Sequence, residues 1–249
     1  MIMSFLQFIN EDYDDTSDFI NSLALKLLKK IQSNYTEESD TYSSFSGMEF
    51  TTPFKFDLNV DLRRSSKPSI KTDSHFKGLP WEEINYLEDG YAIDANTRMN
   101  PNDLLIPEIK IVIILNPKEE PHVYTKLHAR LIDILTHETN HLNQLGINYA
   151  PANADPSKKE IRNSAKKSFK YFMLPDEIES MVEGMYASSK FQNVPLDSVF
   201  DDYLLPFVKS KYVSKSEYNI VMNTWVKYAL SRYPDAVFSA KVKKIVNSI

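Results

Sequence analysis

The sequence predicts an α+β fold in which a small, mainly antiparallel sheet precedes a largely helical C-terminal half. Residues 54–64 alternate between apolar and polar side chains, which is typical of a strand with one buried face. Beyond residue 121, apolar residues recur at helical spacing, and the chain has only five glycines for turns that require positive φ. These observations indicate one domain over residues 15–249, with a sheet-containing half at about 15–121 and a helical half at about 122–249.

The sheet-containing half begins with a predicted helix over residues 15–35, followed by the alternating strand. A second, more apolar strand is predicted over 108–115, ended by Asn116 and Pro117. Between the two strands, residues 64–107 are rich in Ser, Asp, Asn and Pro, which predicts surface loops with one short strand at 90–95. A loop of that length is unusual in a compact domain, so it is either functional or contains elements that the pattern does not reveal.

The helical half is predicted to contain six helices, several of which have proline at or just before their first residue. They are predicted at about 122–145, 156–172, 175–190, 196–210, 214–232 and 235–247. Gly146 is predicted to end the first of them.

Composition excludes several classes of site and disfavours several partners. The chain has no cysteine, so any metal must be held by nitrogen and oxygen atoms. A formal charge of -5 argues against a general nucleic-acid-binding protein. The longest apolar run is "IVIIL", far short of a membrane span. We therefore expect no membrane partner and a location in the cytoplasm of the producing cell.

The pentapeptide "HETNH" lies in the first predicted helix of the helical half and suggests a metal site. His137 and His141 are four residues apart, so both imidazoles project from one helix face and reach one zinc ion at about 2.0–2.1 Å. Glu138 is placed to take a proton from zinc-bound water, whose pKa the metal lowers towards about 7. The alternative is that the three side chains form a solvent-facing polar stripe.

A catalytic zinc ion usually has three protein ligands, so a third must come from elsewhere. The extended pattern HExxHxxGxxH is absent, because Gln144 and Ile147 occupy the positions of its glycine and last histidine. Candidates cluster in "LPDEIESMVEGMY", which carries Glu177, Glu179 and Glu183 on the first turns of a predicted helix.

"THETNHLNQ" followed by "LPDEIESMVEG" resembles the gluzincin group of zinc metallopeptidases, a plan shared by compact peptidase-like proteins of bacteriophages. The resemblance implies a zincin-like domain that binds Zn²⁺ and hydrolyses peptide bonds with Glu138 as general base. Residue by residue, it implies as metal ligands His137, His141 and Glu177, with Glu179 as the fallback.

The same resemblance implies further features of the site. Ser180 takes a small-residue position where the two helices approach closely, whereas Met181 stands where the pattern often has an aspartate that orients a histidine. The strand that precedes the "HETNH" helix would form the edge of the cleft and pair with an extended substrate. A donor to the transition state is also expected, and the candidates are Tyr149, Tyr171 and Tyr186.

The N-terminal "MSFLQFINE" resembles the capsid-targeting peptides of internal head proteins in large tailed bacteriophages. The resemblance implies that residues 1–14 are an N-terminal targeting segment that is processed by cutting after Glu11. It also implies capsid or virion proteins as partners and packaging in a virion. The alternative is an amphipathic stretch that packs on the domain.

Three functions remain open at this point. The first is a zinc metallopeptidase that acts on a peptide or protein substrate. The second is a phage structural or interaction protein in which the same fold binds zinc without turnover, or binds none. The third is hydrolysis of an amide in peptidoglycan by the same zinc chemistry.

Overall fold

The computed structural model describes residues 13–38, 41–52, 54–99, 107–147, 169–240 and 242. The elements in chain order are α1 (Tyr13–Ser33), β1 (Thr41–Thr52), β2 (Phe54–Arg64), α2 (Pro80–Asp89), β3 (Tyr91–Met99), β4 (Pro107–Leu115), α3 (Glu120–Ile147), α4 (Phe169–Phe172), α5 (Pro175–Gln192), α6 (Leu196–Lys209) and α7 (Lys215–Arg232). This order confirms the predicted α+β class, with the sheet before a helical half.

The four strands form one mixed sheet in the order β1-β2-β4-β3. The β1/β2 and β3/β4 pairs are antiparallel and the β2/β4 pair is parallel, so the sheet is mainly antiparallel as predicted. Strand β4 lies inside the sheet and is buried on both faces, which explains its continuous apolar run.

One face of the sheet packs against α1 and α3 and forms the first core. The predicted buried face of β2 is confirmed, because its alternating apolar residues are all buried in this core: Phe56, Leu58, Val60 and Leu62. The helices α4 to α7 enclose a second core around Trp225, whose Nε1 donates to the Phe172 carbonyl at 3.1 Å. Helices α3 and α5 pack together, and this contact joins the two cores.

The prediction of loops over residues 64–107 is wrong for α2 and for residues 96–99 of β3, whose first five residues lie in the strand predicted at 90–95. Helix α2 begins at Pro80 and is followed by Gly90 in the left-handed conformation, with φ 78°. Its buried face carries Glu82 and Asn85. A search for apolar periodicity cannot find such a helix, because tertiary contacts bury its polar residues.

Strand β1 was also absent from the prediction. Its pairing with β2 shifts register between Phe45 and Met48, and such an irregularity disrupts the two-residue period by which a strand is predicted. Helix α3 extends through Gly146 to Ile147, so that glycine does not end the helix as predicted.

Several predictions fall outside the described residues. They concern the N-terminal peptide with its cut after Glu11, nearly all of the helix at 156–172, and residues 241 and 243–247 of the helix at 235–247. Residues 235–239 are described and are not helical, so that helix does not begin at residue 235 as predicted. Among the residues that are described, no helix combines the length and the apolarity needed to cross a bilayer.

Candidate metal centre

Helix α3 brings His137 and His141 together on one face. Their Nε2 atoms lie 3.0 Å apart, and the two side chains are 13% and 16% exposed. The orientation follows from the apolar side of the helix, where Leu131, Leu135 and Leu142 are buried in the sheet core. The two imidazoles therefore converge as their spacing predicts.

Glu177 completes a group of three potential ligands. It lies in the first turn of α5 and is 2% exposed, and its Oε2 is 3.8 Å from His137 Nε2 and 3.5 Å from His141 Nε2. A tetrahedral zinc ion with ligand distances of about 2.0–2.1 Å separates its ligand atoms by about 3.3–3.4 Å. The observed separations lie on both sides of that value, so two imidazole nitrogens and one carboxylate oxygen fit a zinc ion.

The pKa of Glu177 is lowered to about 2, although its burial acts to raise it. The hydrogen bond with His141 and the charge of His141 oppose burial most strongly, followed by the charge of His137 and the hydroxyl of Tyr171. Glu177 is therefore a carboxylate at neutral pH, which is the form that a metal ion requires.

Glu179 and Glu183, the other candidates from the sequence, belong to a different environment. The negative charge of Glu179 helps to raise the pKa values of Glu183 and Tyr228, in both cases after the larger effect of burial. Among the described residues, the group that could hold a metal contains Glu177 and not the fallback Glu179.

Ser180 lies against a histidine of the group. It is fully buried, and its Oγ is 3.3 Å from His141 Nδ1. With Nδ1 directed to the hydroxyl, Nε2 is the nitrogen left for the ligand position. Met181, which stands where the gluzincin pattern often has an aspartate, instead lines a cavity beside His137.

Gly184 allows α5 to approach α3 closely one turn beyond Ser180. A Cβ at this position would lie 2.5 Å from Asp133 Oδ1 and 2.6 Å from the Asp133 carbonyl oxygen. The sequence carried a signal for this contact, because a glycine inside a helix often marks a close approach. The prediction from sequence did not use it.

We expect Gly184→Ala to lower the free energy of unfolding by about 1–3 kcal/mol, because the added methyl group overpacks the α3/α5 contact. Helix propensity acts in the opposite direction, since alanine is favoured over glycine by about 1 kcal/mol inside a helix. Urea denaturation of the two proteins measures the difference. Equal or greater stability of the variant would contradict the close approach.

Of the three tyrosines considered as transition-state donors, Tyr171 lies at this site. Its hydroxyl donates to Glu177 Oε2 at 2.6 Å. Burial, followed by the charge of Glu177, raises the pKa of Tyr171 well above its ordinary value, so the hydroxyl keeps its proton. Tyr186 instead donates to Asp235 Oδ1 at 2.6 Å, and Tyr149 lies outside the described residues.

Glu138 is 6% exposed and its two carboxylate oxygens have different neighbours. Oε1 is 4.0 Å from His137 Nε2, whereas Oε2 accepts a hydrogen bond of 2.8 Å from Thr97 Oγ1. Thr97 lies in β3, beyond the short strand that the sequence predicted at 90–95. It is therefore a contact of the site that sequence reasoning missed.

A cavity of about 70 Å³ lies beside His137 and Glu138. Most of its wall is apolar and is formed by Trp81, Ile134, Met181, Met185, Tyr203 and Phe207. At about 10–15 Å³ for each water-sized position, the cavity holds roughly five to seven heavy atoms.

A buried ion-pair network closes one side of this cavity. Arg130 pairs with Asp133 and, through Nη2 at 3.1 Å, with Glu82 Oε1. The guanidinium carbon lies 4.3 Å from the ring centroid of Trp81. Glu82 Oε2 also accepts a hydrogen bond of 2.8 Å from the Ile93 N–H, so the network connects α2, α3 and β3.

The expectation that the strand before α3 forms the edge of the cleft is wrong. That strand is β4, which is paired on one side with β2 and on the other with β3, so its backbone cannot pair with a substrate. Within the described part of the chain, β3 has β4 as its only strand neighbour. The edge strand nearest to Glu138 is therefore β3.

Compared with known proteins, the chain matched no family model, no curated protein sequence and no solved structure.

Proposed function

We propose that this protein is a zinc-dependent hydrolase of peptide bonds. The observation that carries the proposal is the convergence of His137, His141 and Glu177 next to Glu138. Two imidazole nitrogens and one carboxylate oxygen are the donor set of many catalytic zinc sites, in which the fourth position stays open. The resemblance of the two helices to gluzincins supports the same assignment.

Bound at these three residues, zinc would act as a Lewis acid that lowers the pKa of water and polarises a carbonyl group. Glu138 would take the proton of the attacking water, because Oε1 faces the metal ligands. The Tyr171 hydroxyl donates to Oε2 of Glu177, so Tyr171 is the candidate transition-state donor that contacts a potential metal ligand.

The edge of β3 is where we propose that the substrate backbone binds. The Ile93 N–H donates to Glu82 and so points away from β4. Because this direction alternates along an antiparallel strand, the backbone groups of Ala95 and Thr97 also point away from β4. An extended peptide paired there would pass Glu138 and place an apolar side chain of about five to seven heavy atoms in the adjacent cavity.

Glu177→Gln and Glu179→Gln form a matched pair that tests the metal site, because each removes one carboxylate from the first two turns of α5. We expect Glu177→Gln to weaken zinc binding by more than the roughly 10–100-fold typical of losing an outer hydrogen-bond partner, because a ligand is lost. Glu179→Gln should bind zinc like the wild type. Competition with a chromophoric chelator measures both affinities.

The activity is tested on a mixture of unstructured peptides analysed by mass spectrometry. Cleavage should disappear with a chelator and return with added zinc. Binding of less than about half an equivalent of zinc, unaffected by His137→Ala, would contradict the proposal and favour a structural protein. Cleavage of peptidoglycan fragments but of no peptide in the mixture would point to the amidase alternative.

A further inference from the structure

Thr97 makes a hydrogen bond that can fix the orientation of the Glu138 carboxylate. Its Oγ1 lies 2.8 Å from Glu138 Oε2 and 3.2 Å from the Glu138 carbonyl oxygen. A hydroxyl has one proton to donate, and the carboxylate oxygen is both the nearer and the stronger acceptor. The principal hydrogen bond therefore runs from Thr97 to the Glu138 carboxylate.

This hydrogen bond distinguishes the two oxygens of the carboxylate. Oε2 is held by Thr97, and Oε1 faces His137 Nε2 at 4.0 Å. The terminal torsion of a glutamate is broad, so an unheld carboxylate samples many orientations. A strong hydrogen bond to one oxygen restricts that rotation and keeps the other oxygen towards the metal ligands.

We propose that Thr97 is a positioning residue for Glu138, which it holds with Oε1 directed at the attacking water. This inference rests on the proposed hydrolytic function. It adds a residue of β3 to a site whose other members come from α3, α4 and α5.

The position of Thr97 also links the general base to the proposed substrate edge. Its side chain contacts Glu138, whereas its backbone groups point away from β4, by the alternation that the Ile93 N–H reveals. A peptide paired with this edge would touch the residue that holds the base. Thr97 would therefore contribute both to substrate binding and to the orientation of Glu138.

Thr97→Val and Thr97→Ser are matched variants that test the proposal. Valine keeps the β-branched shape and removes the hydroxyl, whereas serine keeps the hydroxyl and removes a methyl group. We expect Thr97→Val to lower kcat about 10- to 100-fold with KM within about twofold, because a hydrogen bond to a charged group is lost. Thr97→Ser should stay within about threefold of the wild type, and both variants should bind zinc like the wild type.

Two outcomes would overturn the proposal. A kcat for Thr97→Val within about twofold of the wild type would show that the hydroxyl does not orient the base. An equal loss in Thr97→Ser and Thr97→Val would show that the site is sensitive to any change of this side chain, and would overturn the assignment of the effect to the hydroxyl.

A double-mutant cycle tests the hydrogen bond between Thr97 and Glu138 without any activity measurement. Urea denaturation of the zinc-free wild type, Thr97→Val, Glu138→Ala and the double variant should give a non-additive effect of about tenfold in the unfolding equilibrium constant. Additive effects would overturn the inference even in an active enzyme. A clear coupling in a protein that cleaves no peptide would support the Thr97 contact and refute the proposed function.

Discussion

The Glu138→Gln protein should bind zinc like the wild type and hydrolyse peptides about 10²–10⁴-fold more slowly. Glutamine has nearly the same shape as glutamate and still offers an oxygen to Thr97 Oγ1, so the local packing stays as it is. What it loses is the ability to accept a proton from the attacking water. Glu138 is not among the three residues that could hold the metal, so zinc binding should not change.

Steady-state kinetics and zinc analysis on the same preparations check this prediction. Glu179→Gln serves as the control, because it makes the same chemical change on α5 outside the group of potential ligands. Activity of the Glu138 variant within about threefold of the wild type would exclude Glu138 as general base. A loss of zinc together with activity would instead assign it a structural role in the metal site.

Arg130→Met should lower the free energy of unfolding by about 3–5 kcal/mol, a large part of the stability of an ordinary domain. The side chains of Glu82 and Asp133 are 3% and 5% exposed and both pair with this guanidinium. Burial raises the pKa values of both carboxyls in spite of Arg130, so removing Arg130 leaves two buried acids without their cation. Urea denaturation at neutral pH measures the loss.

The triple variant Arg130→Met, Glu82→Gln, Asp133→Asn provides the matched control. It removes all three charges together, and the Gln side chain can still accept the Ile93 N–H hydrogen bond. We expect it to recover most of the lost stability, because replacing a whole buried ionic group is far less destabilising than breaking it. If Arg130→Met stays within about 1 kcal/mol of the wild type, the network does not hold α2, α3 and β3 together.

The parts of the site that depend on local geometry could be predicted from the sequence. The spacing of His137 and His141 on a helix places both imidazoles on one face, and the helical period alone requires it. Three glutamates lie on the first turns of α5, so local geometry left the third metal ligand open. The gluzincin resemblance narrowed the choice to Glu177, with Glu179 as the fallback. Its distances to the two imidazoles come from the packing of α5 on α3.

The errors in the prediction have physical causes that act over long range. Strand β4 was expected at the edge of the cleft, but its apolar side chains are buried on both faces and its backbone pairs on both sides. Helix α2 was predicted as loop because Glu82 and Asn85 occupy its buried face. In both cases, partners distant in sequence determine the environment of the segment.

Apolar periodicity and the residues that begin and end helices were thus sufficient to predict the α+β class, β2 and β4. They also predicted the helices that carry the histidines and the glutamate, because these elements depend on neighbours within a few residues. Strand order, the contact of Glu177 with the histidines and the contact of Thr97 with Glu138 depend on residues roughly 35–50 positions apart. No local pattern encodes such a contact, because it forms only when α3 packs on the sheet beside β3 and α5 packs on α3.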